Sequence, residues 1–252
     1  MRFLPVLLLL LTACAPAALS PTLTPVPLAL AGTADALPAV GALAREYDFP
    51  HPIPDRANPA LLAALEAGEL EAAFTYYLPP GASLWSAPLA LDGLAIIVHP
   101  ANPLVLLTLA QVREIFSGRA LDWAAVGGAA GEIHLYSREP GADVQSAFLS
   151  LALEGLPVAR TARVAPGSAE MLAAIAADER AIGFVPASRL LAGAPSDGVR
   201  ALALEGVSPE PAAFESGAYP LRLPLWVAAR AEPTGPLRDF LLWAQEQGAA
   251  GM

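Results

Sequence analysis

The chain reads as an α/β protein, with mostly parallel sheets flanked by helices. Short apolar runs rich in β-branched residues alternate with segments of helical period. The helix signals carry caps, prolines or glycines at their ends, and no internal repeat breaks the order. At 252 residues with 55% hydrophobic content, one or two domains with a sizeable core are expected and disorder is excluded.

The elements follow in order. LALAG, Leu28 to Gly32, predicts a first buried strand ending in a glycine turn, and a helix follows through about Tyr47. Asn58-Pro59 offers a cap and a first-turn proline for a helix ending near Gly68. Leu70 to Phe74 returns as a strand. Leu94 to Val98, bounded by Asp92-Gly93 and Pro100, predicts a further, buried strand. Thr108 stands three residues before Gln111, a capping-box spacing, and Leu109, Val112, Ile115 and Phe116 recur at helical spacing. That helix should run from Leu109 to Ser117, with Gly118 as its left-handed terminator. Ile133 to Tyr136 reads as a strand, Asp143 to Glu154 as a helix closed by Gly155, and Met171 to Ala177 as a helix leading into the AIGFV strand at Ala181 to Val185.

The N-terminus carries Met1-Arg2, an apolar run from Phe3 to Leu11, and Leu11-Thr12-Ala13-Cys14, a tetrad that resembles a bacterial lipobox. That resemblance implies a signal peptide over 1–14 and a lipid on Cys14, the single cysteine of the chain. An ordinary signal peptide with a coincidental cysteine, or a short buried segment, are the other readings. Residues 15–27, with Pro16, Pro21, Pro25 and Pro27, resist helix and extend as a tether. Past the leader no window reaches the ~18 uninterrupted apolar residues of a spanning helix, so the mature part is expected to be soluble.

All 14 basic residues are Arg, against 24 acidic ones, and the formal net charge is −10. This excludes nucleic acid as a partner, because backbone binding needs clustered positive charge. A small buried anion remains compatible, held by backbone N–H groups and one or two Arg residues. Catalysis finds no support: His51, His99 and His134 lie far apart in sequence with no zinc spacing, there is no GxSxG elbow and no P-loop, and carboxylate clusters are absent. A non-enzyme with no cofactor and no metal is expected.

IFSGRALDWAAVGG ending at Gly128, the pair Arg138-Glu139, AIGFV at Ala181 and YPLRLPLWVAA at Tyr219 to Ala229 resemble the phosphate-type substrate-binding proteins of ABC importers, over roughly Leu91 to Trp243. The resemblance implies a two-lobed periplasmic-binding-protein type II fold with two inter-lobe crossings, lobe 1 from 28–98 plus 191–252 and lobe 2 from 99–190. It implies an extracytoplasmic, lipid-anchored, monomeric receptor that captures a small oxyanion, phosphate, and hands it to an ABC transporter permease. Four ligand loops map onto Gly32-Thr33-Ala34, Asp55 to Asn58, Thr75-Tyr76-Tyr77 and Gly141 to Gln145. The resemblance thus assigns ligand contacts to Thr33, Ala34, Thr75, Arg138, Gly141 and Ala142. Ser168, after Pro166-Gly167, is read from its own residues as a cap whose neighbouring amides point at a ligand or as a cap alone.

The ligand loops depart from the family. Thr75-Tyr76-Tyr77 lacks a carboxylate acceptor for a protonated oxyanion, and Ala142, Asp143, Val144 and Gln145 replace a Gly-Ser-Gly-Thr run. Asp143 in the pocket would repel an anion at a cost of several kcal/mol, unless it caps its own helix and faces away. Arg138 faces the cleft or pairs with Glu139 on the surface. Tyr76, Tyr77 and Trp85 either line an aromatic pocket or belong to the core. Two functions stay open: oxyanion receptor of an importer, or a scaffold relative that binds another, organic ligand or serves as a non-transport receptor.

Overall fold

The computed structural model describes residues 28–191 and 198–249; the expected leader, Cys14 and the tether lie outside them. β1 (Leu30–Gly32) leads into α1 (Leu37–Glu46), then α2 (Asn58–Ala67), β2 (Ala72–Thr75) and the long β3 (Trp85–Val98). β4 (Leu106–Leu107), α3 (Leu109–Phe116), a 3-10 turn (Trp123–Val126), β5 (His134–Ser137), α4 (Asp143–Leu151), β6 (Arg163–Val164), α5 (Ser168–Ala176) and β7 (Ala181–Pro186) build the second lobe. The chain returns through α6 (Ser188–Leu191), β8 (Arg200–Ala201), β9 (Ala203–Leu204), α7 (Pro211–Glu215), β10 (Arg222–Ala229) and α8 (Gly235–Ala249).

The main sheet runs β1-β2-β10-β3-β7-β5-β6. Pairing is parallel at both ends, β1 with β2 and β5 with β6 and β7, and antiparallel where β3 meets β10 and β7. β3 serves both lobes: Trp85 to Gly93 pair with β10, and Leu94 to Val98 pair with β7. The sequence suggested a strand starting after Asp92-Gly93, yet the strand runs through that pair. Its extension is possible because the Asp92 carboxylate takes the N–H of Gly93 and both the N–H and hydroxyl of Ser188, leaving no orphan at the handover. Tyr76 Oη donates to the same carboxylate at 3.0 Å. Burial raises the Asp92 pKa, and these donors pull against it.

α3 forms as the sequence predicts, with Thr108 and Gln111 closing a capping box and Gly118 at φ +78° behind it. One apolar core is continuous through both lobes. Phe116, Phe148 and Phe184 pack face and edge within lobe 2, while Tyr47, Phe49, Phe240 and Trp243 do so in lobe 1. A smaller apolar cluster, Leu61, Leu65 and Leu70 with Ala228, lies under α2. The expected boundary at 191 needs correction in its strand pairing: β8 pairs with Ile97 and Val98 of β3, and β9 with β4, so residues 200–204 hydrogen-bond with lobe 2. Among the described residues no helix is long and apolar enough to cross a membrane.

A Cβ at Gly93 would clash with the ring of Phe214, which is buried and packs edge-on against Tyr219. Gly93→Ala should therefore cost about 1–3 kcal/mol by overpacking the crossing. Urea unfolding should show a lowered midpoint with an unchanged slope, and an unaltered midpoint would refute the tight fit.

Candidate functional site

The cleft forms where strands end and helices begin. β1 ends at Gly32 and delivers Thr33, Ala34 and Asp35; β2 ends at Thr75; β5 ends at Ser137 and delivers Arg138; α4 and α5 begin with Asp143 and Ser168. A cavity of about 380 Å³ is lined by Thr33, Ala34, Asp35, Asn58, Arg138, Gly141, Ala142 and Asp143 among others. Five of the expected ligand residues line it directly. Thr75 and Ser168 stand behind it, bonded to residues that do. Gly141 has φ +93°, a backbone region open to glycine, and its Cα faces Pro59 across the gap.

Asp143 faces the cleft and does not turn away from it. Its Oδ2 accepts from Thr33 Oγ1 at 2.6 Å and from the Tyr76 N–H at 2.8 Å, both across the lobes, and Oδ1 accepts the Val144 N–H at 2.9 Å. Thr75 Oγ1 has one proton to give, and Asn58 Oδ1 at 2.9 Å is nearer than Asp143 Oδ2 at 3.2 Å. Asp143 is only 2% exposed. Burial raises its pKa, the Thr33 and Tyr76 donors lower it, and the Asp35 charge raises it further.

Arg138 faces the cleft and does not lie on the surface. It is 3% exposed, and its Nη1 reaches Asp35 Oδ2 at 2.7 Å, a buried ion pair between the lobes. Nη2 donates to the Pro166 carbonyl, and Nε lies 3.4 Å from Glu139. Burial pulls the Arg138 pKa down, and the Asp35 and Glu139 carboxylates together outweigh it and raise it. Ser168 is the first residue of α5, one place past the N-cap Gly167, so it makes no side-chain cap, and its hydroxyl donates to Asp35 Oδ1 at 2.6 Å. Asn58 likewise departs from the expected capping role, since Ala57 holds the N-cap position of α2, and its Oδ1 accepts from Thr75. Tyr76 belongs to the core, while neither Tyr77 nor Trp85 lines the cavity. The expectation that carboxylates do not cluster fails here, since Asp35 and Asp143 meet in one cleft. Asp35 carried no sequence signal beyond lying two residues after Thr33, and the Tyr76 N–H carried none.

Among the described residues, the one buried side-chain atom without a partner is Arg189 Nε on α6, so every buried polar side chain of the cleft is satisfied. The chain matches the PBP superfamily domain over residues 63–248. It belongs to that superfamily. The phosphate-binding protein PstS of Bacillus subtilis (strain 168) is 29% identical over 153 residues, 60% of this chain; the match spans about half, 49%, of that protein. A putative phosphate ABC transporter substrate-binding protein from Clostridium perfringens, solved with bound phosphate, superposes with TM-score 0.76 at 23% identity, covering 88% of this chain and 94% of that one. An ABC-type phosphate transport receptor from Vibrio cholerae gives 0.73 at 23% identity over 88% and 95%. The superfamily member thus has the two-lobed fold that the sequence motifs imply, and the resemblance to phosphate-type binding proteins is borne out.

The raised pKa of Asp143 has a defined sign. The folded state holds the proton more tightly than the unfolded chain, so ionised Asp143 costs stability at neutral pH. That cost fades as pH falls through the raised value, and is gone near the unfolded carboxylate value of ~3.9. Wild type should therefore gain stability relative to Asp143→Asn as pH is lowered from 7 towards 4. Urea unfolding of both proteins across that range measures the difference, and a flat difference would sink the assignment.

Proposed function

We propose that this chain is the solute-binding component of an ABC importer, a non-enzyme that captures a small oxyanion between its lobes. The observation that carries this reading is the convergence of Thr33, Ala34, Thr75, Arg138, Gly141, Ala142 and Ser168 on one cleft, from strand ends and helix starts of both lobes. Phosphate is the solute that the named relatives bind or carry, and it suits the cleft chemically. An oxyanion that keeps a proton can donate it to Asp35, whereas a fully ionised one meets like charge in a desolvated space. Arg138 and the hydroxyls of Thr33 and Ser168 are the donors for the remaining oxygens.

In this reading Cys14 carries a lipid, 15–27 tethers the folded part outside the cytoplasm, and a monomer meets the transporter's permease. The leader pattern, the proline spacing and the named relatives support it.

Calorimetry with phosphate, sulfate, molybdate and tungstate tests it. Submillimolar phosphate binding is expected, weaker by about tenfold in Arg138→Lys, which keeps the charge and loses the planar fork. Arg138→Ala should abolish binding, and should also lose ~3–5 kcal/mol of stability because Asp35 is left buried and unpaired. Absence of heat with all four anions would refute the proposal.

A further inference from the structure

The two inter-lobe bridges are reciprocal. Lobe 2 sends Asp143 into donors of lobe 1, the Thr33 hydroxyl and the Tyr76 N–H. Lobe 1 sends Asp35 into donors of lobe 2, the Arg138 guanidinium and the Ser168 hydroxyl. Each carboxylate is buried, and together they take up the hydroxyl and guanidinium groups that would otherwise hold a bound oxyanion. A two-lobed receptor closes when something binds both faces of its cleft better than water does. Here the chain's own side chains meet that condition.

We propose that Asp35 and Asp143 are tethered stand-ins for an oxyanion, each filling the other lobe's anion donors and holding the cleft shut without any solute. Closure in this protein then does not report occupancy, and an incoming anion competes with two carboxylates that never diffuse away. The competition lowers apparent affinity in proportion to the open fraction: a closed form favoured about 30-fold weakens binding about 30-fold. At position 143 the departure from the family is the device itself, because Asp143 stands in the run where the phosphate-type proteins have Gly-Ser-Gly-Thr.

The closure claim stands on these bonds alone, and the affinity claim rests on the oxyanion reading above. The test uses the full chain with Cys14→Ser, and spin labels at Glu66→Cys on α2 and Glu179→Cys in lobe 2, both exposed. Pulsed dipolar spectroscopy without phosphate should give one narrow distance that added phosphate does not shorten. Asp35→Ser with Asp143→Ser should lengthen and broaden it. Asp143→Ser alone should bind inorganic phosphate at least tenfold more tightly than wild type by calorimetry. Circular dichroism checks the fold, and Asp35→Asn with Asp143→Asn, which keep the side-chain shape, serve if the serine variants unfold. A broad distance in wild type that phosphate shortens, or an unchanged distance in the folded double variant, overturns the proposal. If the double variant opens while no protein takes phosphate, the closure claim holds and the oxyanion reading fails.

Discussion

Two carboxylates buried in one cleft are the constraint around which this molecule is arranged. A desolvated charge is tolerated only with a full set of donors, and Asp35 and Asp143 each find theirs on the opposite lobe. The relative placement of the lobes is thereby tied to hydrogen-bond geometry. Sliding one lobe by an ångström or two would strand both charges at once.

Tyr76 connects that cleft to the crossing. Its backbone N–H holds Asp143 while its hydroxyl, deep in the core, holds Asp92 where β3 changes partners. Burial, then the Asp92 charge, push the Tyr76 pKa well up, so this hydroxyl stays a donor under all ordinary conditions. The same residue thus anchors both the anion donors and the handover strand, and a change at one is felt at the other through a single rigid ring. Ser188 completes the arrangement from the far side, bringing the start of α6 to the same carboxylate.

The fold was largely legible in the sequence because its signals are local. The Thr108–Gln111 box, Gly118 and Gly68 at left-handed φ, and the apolar runs at Leu94 and Ala181 each act over a few residues. What was not legible depends on distant partners. Ser168 and Asn58 look like caps, yet Ser168 donates to Asp35 and Asn58 accepts from Thr75, partners that lie 133 and 17 residues away. Asp143 serves its own helix only through Oδ1 and the Val144 N–H; Oδ2 is turned into the cleft towards Thr33, 110 residues distant. The seven expected site residues gather at one cleft, whereas Asp35 and the Tyr76 amide had nothing in their neighbourhood to mark them.

β3 has a consequence for how this chain can be divided. Its first nine residues belong to one lobe's sheet and its last five to the other's, with no break between them. Neither lobe owns a complete set of strands. Residues 99–190 cut out as a module would lose the central strand that covers β7, exposing the Ile182 and Phe184 backbone as a raw sheet edge. The architecture looks like two halves joined by connectors, but for synthesis, transplantation or permutation it is one indivisible body with a shared spine.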